Sequence, residues 1–165
     1  MEQKSSPLLK SSLSYGIYLG IALVLVSVII YVLGYSFESW VQFTSYPILI
    51  GGVIWAQLAY RKVLEGTMTY GQAVGIGFLA ILFAGIISAF YTYLLYKVID
   101  PSLHEKLMIF TEQKIIEQGR VGEEQLDMVM NITKKFMSPF LLSLQLIFYS
   151  AIGGIIISLI TAIFT

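Results

Sequence analysis

Apolar residues along this chain gather into four long stretches, 13–33, 40–60, 73–96 and 140–164, none of which holds an Asp, Glu, Lys, Arg or His. At ~1.5 Å of rise per residue, about 20 apolar residues in a helix cover the ~30 Å hydrocarbon core of a bilayer. The pattern predicts four membrane helices. Between the third and fourth, residues 101–138 change character: charge returns, and apolar positions recur at helical spacing. Asp100-Pro101 offers an N-cap and a first-turn proline. Residues 102–118 read as a helix stopped by Gly119, and 123–137 as a second helix with an acidic first turn. The expectation is an all-α integral membrane protein, a single domain over 1–165, with four transmembrane helices and an extramembrane helical hairpin between the third and fourth.

The two hairpin helices differ in their faces. In the second, Leu126, Val129, Met130, Thr133, Phe136 and Met137 share one side, opposite Glu123, Asp127, Asn131 and Lys134. The first is apolar on two sides. Its stripe of Leu103, Leu107 and Phe110 suits a cover for the second helix, which leaves Met108, Ile109, Ile115 and Ile116 as a candidate interaction surface.

Small residues form a second pattern inside the spans. Ala73, Gly77, Ala80, Ala84 and Ser88 fall on one side of the third helix, and Gly71 with Gly75 makes a Gly-x-x-x-Gly. In lipid, helices associate through close backbone approach, which small residues permit. The third span is therefore expected to be the packing hub. Gly16 and Gly20 offer a matching pair on the first span, Gly52 and Ala56 on the second, and Ser150, Gly154, Ser158 and Ala162 on the fourth. Pro47 should kink or shift the second helix. Gln42 and Gln57 on that helix read as partners for inter-helix or headgroup hydrogen bonds. Trp40, Tyr60, Tyr91, Tyr93 and Tyr96 read as interfacial aromatics.

Composition agrees with this pattern: 57% of residues are hydrophobic and 12% charged, against roughly 25% charged in an average soluble domain. Net charge is zero, so nothing suggests a nucleic-acid partner. Cysteine is absent, which removes disulfides, thiolate nucleophiles and Cys-ligated metal. A basic start before an apolar core can mark a signal peptide. Here the apolar run exceeds the about 7–15 residues of a signal core and no small-x-small cleavage site follows, so a retained first span is expected. Lys4, Lys10, Arg61 and Lys62 lie in the N-terminal arm and the second turn, while the 34–39 turn has no basic residue. The positive-inside rule then favours cytoplasmic N- and C-termini and a periplasmic hairpin.

Tyr60-Arg61-Lys62, the run Gly66-Thr67-Met68-Thr69-Tyr70-Gly71-Gln72, Ile99-Asp100-Pro101, Gly122-Glu123-Glu124 and Ser138-Pro139 together carry a family resemblance. The chain resembles an uncharacterised four-span membrane family of Bacteroidota known only as a domain of unknown function. That resemblance implies four helices in the inner membrane of bacteria with two membranes, and a loop facing the periplasm. It implies no activity and no catalytic residues.

Candidate chemistry is sparse. Ionisable side chains within spans usually mark proton or ion pathways, and the four stretches contain none. Proton-coupled export and intramembrane catalysis are thereby disfavoured, and no enzyme activity, cofactor or metal site is expected. His104, with Glu105 and Asp100 nearby, reads as a solvated surface histidine rather than a ligand. Glu105, Glu112, Glu117, Glu123, Glu124 and Asp127, interleaved with Lys106, Lys114 and Arg120, read as an ordinary solvated face. Two functions remain. One is a structural or interaction module whose hairpin meets a membrane-protein partner, lipid of the bilayer, or its own copy in a homo-oligomer. The other is a subunit of an oligomeric channel or transporter for a small uncharged solute, its route lined by Gln57, Thr92, Gln145 and serines.

Overall fold

The computed structural model describes residues 7–119 and 121–165, and the side chains of Gln42 and Glu123 lie outside what is described, as do Lys4 and Arg120. Within that range the chain forms six α-helices and no strand: α1 (Pro7–Val32), α2 (Val41–Val63), α3 (Tyr70–Leu94), α4 (Pro101–Glu117), α5 (Glu123–Phe136) and α6 (Pro139–Thr161). Three segments are long and apolar enough to cross a membrane: Pro7–Val32, Tyr70–Ile99 and Pro139–Thr161. The second predicted span does not reach that standard, although α2 runs for 23 residues. Its Thr44, Ser45, Pro47 and Gln57, with two adjacent glycines, lower its hydropathy below that of its neighbours.

Local chemistry explains where the helices begin and end. α1 starts at Pro7 rather than at 13, because its serines satisfy themselves on the backbone. Ser12 Oγ donates to Leu8 O at 2.8 Å and Ser14 Oγ to Lys10 O at 3.1 Å, so polar residues can continue the helix. α3 starts at Tyr70 rather than 73 because Thr69 and Gln72 form a reciprocal capping box. Thr69 N–H donates to Gln72 Oε1 at 2.9 Å, and Gln72 N–H to Thr69 Oγ1 at 3.3 Å. α6 ends at Thr161 rather than 164 in tightened turns, with Phe164 N–H on Thr161 O at 3.0 Å.

Two helix ends use the same closing motif with different residues. After α1, Gly34 takes φ 78° while Tyr35 N–H reaches Ile30 O at 3.1 Å. After α2, Gly66 N–H reaches Arg61 O at 3.0 Å, but the first left-handed position is Glu65, at φ 54°. Beyond α3 the chain widens into a π-helical turn, Leu95–Ile99, closed by Asp100 N–H on Leu95 O at 2.8 Å. Asp100 then caps α4 by accepting from Leu103 N–H at 3.2 Å, with Pro101 in the first turn, as its sequence predicts.

The chain divides into two compact units, Met1–Ser88 with Leu146–Thr165, and Ala89–Gln145. The core of the first has two buried clusters: Leu19, Val53, Ile81 and Ala84, and Ala56, Tyr60, Ile76 and Ala80. α3 supplies half of each. In the second unit Leu95, Leu103 and Met130 are buried.

Candidate functional site

In the first unit the close approaches run along α3. A Cβ placed on Gly16 of α1 would stand 2.6 Å from Phe83 Cβ, and one on Gly20 would stand 3.2 Å from Ala84 Cα. Positions 16 and 20 thus meet 83 and 84 in ascending order, so α1 and α3 run parallel. Along α6 the order reverses. Gly85 abuts Ser150, Gly154 abuts Ile81, and a Cβ on Gly77 would fall 2.7 Å from Ser158 Oγ. Each pairing drops four residues on α3 as it gains four on α6, which is the register of antiparallel helices. Gly52 of α2 meets Leu19 of α1, and Trp55 lies edge-on to Tyr15 with ring centroids 5.1 Å apart, again antiparallel.

The single predicted stripe on α3 therefore resolves into two seams. Ala80 and Ala84 face α1, whereas Gly77, Ile81 and Gly85 face α6. Ala73, Ala80 and Ala84 are buried; Ser88 is half-buried and its hydroxyl has no hydrogen-bond partner. Gly85 escaped the sequence reading because it lies off the chosen stripe, although Ser150 opposite it was already marked. The Gly71–Gly75 pair does not form a seam. Among the described residues nothing lies within 4 Å of a Cβ on Gly71, and Gly75 meets only Leu8.

One polar group sits in the middle of this packing. Gln57 is fully buried, and its amide donates to Ala73 O at 3.1 Å and Ser158 O at 3.5 Å, while its carbonyl accepts from Thr165 Oγ1 at 3.1 Å. Nearby, Arg61 Nη1 donates to Thr165 O at 3.0 Å and Tyr70 OH to Leu159 O at 2.9 Å. These bonds tie α2, α3 and α6 at one end of the unit. In an apolar surrounding an unpaired amide is costly, so Gln57 holds its neighbours in register. Ser158 Oγ, buried without a partner, instead packs on Gly77.

The second unit is arranged differently. On α4, Ile109 and Ile116 are 56% and 55% exposed, one turned two helical turns from the other on the same side, while Met108 and Ile115 are half-buried. The candidate surface therefore narrows to two isoleucines, since the other pair points 100° away. On α5, Met130 is buried and Leu126, Val129 and Thr133 are half-buried, but Phe136 is 60% exposed and is not part of the covered face. Gln145 Nε2 donates to Phe136 O at 3.0 Å.

His104 corrects another expectation. It is half-buried rather than solvated: Nε2 lies 2.7 Å from Met137 O, and the ring stands edge-on to Tyr96 at 6.0 Å. A carbonyl only accepts, so Nε2 carries the proton and the ring acts as a strut between the start of α4 and the end of α5. Its burial depends on the turn of Tyr96, which no local pattern around His104 reveals. Among the described residues no group of three or more His, Cys, Asp or Glu side chains is placed to hold a metal. Lys114 Nζ sits 4.9 Å above the Phe110 ring, covering apolar surface with its stem.

Three helices long and apolar enough to cross a bilayer, packed along small-residue seams, mark the chain as an all-helical membrane protein. A family model described as a protein of unknown function, DUF4199, matches residues 14–165, and the chain belongs to that family. No curated protein and no solved structure matches it.

Proposed function

We propose that this chain is a small four-span protein of the bacterial inner membrane that serves as an interaction module, meeting a membrane-protein partner or its own copy through an α4–α5 hairpin outside the bilayer. The observation that carries the proposal is the pair Ile109 and Ile116, more than half exposed on a 17-residue helix that is not among the candidate spans. Two large aliphatic side chains on one exposed stripe lose contact with water when a partner covers them.

The first unit supports a scaffold rather than a conduit. Gln57, the largest of the polar side chains that could line a route, is already engaged on Ala73 O and Ser158 O, and Gly77 beside it is packed closely against Ser158 and Val53. α2 reads as the fourth span because it runs antiparallel to α1 and buries Val53, Ala56, Gln57 and Tyr60 against its neighbours. Of the residues that lower its hydropathy, Gln57 is turned inward, whereas Ser45 and Pro47 are exposed. The start of α1, the α2–α3 turn and the end of α6 gather at one end: Leu8, Leu64 and Met68 join one cluster, and Arg61 bonds Thr165. Lys10, Arg61 and Lys62 at that end favour the cytoplasmic side.

In-cell crosslinking from position 113, beside the two isoleucines, tests the proposal. A discrete adduct, lost when Ile109 and Ile116 are both changed to Glu while thermal unfolding in detergent is unchanged, is the expected result. Retention of the same adduct in the double variant removes α4 as the contact. Solute flux through proteoliposomes of the purified chain would displace the module reading in favour of a channel.

A further inference from the structure

We propose that α5 is a surface-lying helix whose second, exposed apolar stripe rests in the acyl boundary of anionic phospholipid. The stripe is Met128, Ile132 and Phe136, exposed by 68%, 48% and 60%. These residues follow one another at steps of four, so they occupy one side of the helix, displaced from the covered side of Met130, Leu126 and Thr133. α5 thus carries two apolar sides. The half of its circumference left to Asp127, Asn131 and Glu124 is polar and exposed.

What covers the second side is indicated by where it leads. Past the turn at Met137 and Ser138, α6 opens with Phe140 and Leu144, 65% and 52% exposed. That helix is among those apolar enough to cross a bilayer, so its exposed phenylalanine and leucine face acyl chains. The stripe on α5 is continuous in sequence with a lipid-facing one. A helix with one sharply polar side and modest mean hydropathy, joined to a span, settles into the interface rather than crossing it.

Charge selects the lipid. α5 is acidic in its first turn and basic in its last, where Lys134 and Lys135 are exposed close to the start of α6. At that end Lys135, which borders the stripe beside Met128, can lay its stem along the apolar boundary while its ammonium reaches phosphates, and Lys134 adds positive charge from the polar side. Glu124 and Asp127 stand at the opposite end, away from the span. The arrangement fits anionic headgroups under the C-terminal half of α5.

This rests on the reading of α6 as a span, and the test separates the two. The chain lacks cysteine, so single-Cys variants at 128, 132 and 136, with 124 and 131 on the polar side and 148 within the span, can each carry an environment-sensitive fluorophore. The labelled full-length chain is reconstituted in vesicles of phosphatidylglycerol with phosphatidylcholine, or of phosphatidylcholine alone. In the anionic vesicles acrylamide should quench 128, 132 and 136 about fivefold less than 124 and 131, and shallow spin-labelled lipid should quench the first three only. Lys134→Glu with Lys135→Glu should raise acrylamide access at 136 about twofold in anionic vesicles and leave it unchanged in neutral ones. Equal acrylamide access on the two sides of α5 overturns the proposal. So does protection that vanishes when the protein is diluted about a hundredfold into lipid, because a second copy would then be the cover. Failure of deep spin-labelled lipid to quench 148 would instead overturn the span, and this proposal with it.

Discussion

α3 in the first unit and α4 with α5 in the second handle apolar and polar groups in opposite ways. α3 presents glycine and alanine to its neighbours, so that backbones approach until Gly77 lies against Ser158, Val53 and Gln57. The one large polar side chain there is buried and bonded across helices. α4 is capped by Asp100 and tied to the end of α5 by one histidine strut, and the two helices leave Ile109, Ile116, Met128, Ile132 and Phe136 in the open. On the proposed topology the difference follows from the solvent each meets. In hydrocarbon, exposing an isoleucine is free and stranding an amide is expensive. In water the penalties are reversed, so an exposed aliphatic stripe outside the spans asks for a cover.

If that contrast is right, perturbing the seam should matter most. Gly77→Leu drives a side chain into atoms that a bare Cβ would already meet at 2.7, 2.9 and 3.1 Å. A loss of ~1–3 kcal/mol or more is expected, read as a lowered unfolding temperature in detergent. Gly153 on α6 has nothing within 4 Å of its Cβ direction, so Gly153→Leu should melt with the parent. Similar melting of the two variants would mean that close approach along α3 is not what holds the first unit.

A smaller effect should come from the buried amide. Gln57→Leu keeps most of the volume and deletes bonds to Ala73, Ser158 and Thr165. Inter-helix hydrogen bonds in membranes average ~0.6 kcal/mol and reach ~1.7, so a loss in that range is expected by thermal unfolding in the same detergent. A variant more stable than the parent would show that Gln57 is kept for something other than holding the helices.

The smallest change belongs to the second unit and should stay there. His104→Leu removes the bond to Met137 O and the edge contact with Tyr96, at a cost of about 1 kcal/mol. Hydrogen exchange should speed up across α4 and α5 while the melting of the spans holds. Equal destabilisation of both would break the comparison, because the two units would then unfold together.

Sequence alone determined the helices, the caps of the fourth, and the absence of charge in the apolar stretches, since these depend on neighbours within a few residues, but it misplaced the start of α1, the start of α3 and the end of α6. Asp100-Pro101, Gly119 and the small residues at steps of three and four were all legible in this way. The Thr69–Gln72 capping box went unread: its letters lie in the motif carrying the family resemblance and read as a turn until the reciprocal bonds are seen. Only the tertiary structure decided which neighbour each small residue meets. It split one stripe on α3 into an α1 seam and an α6 seam, and brought Gly85 onto Ser150. It likewise turned Phe136 outward and His104 inward. The reason is geometric: periodicity gives the angle of a side chain about its own helix axis, whereas burial depends on where the other axes run, and that is set by contacts between residues far apart in the chain.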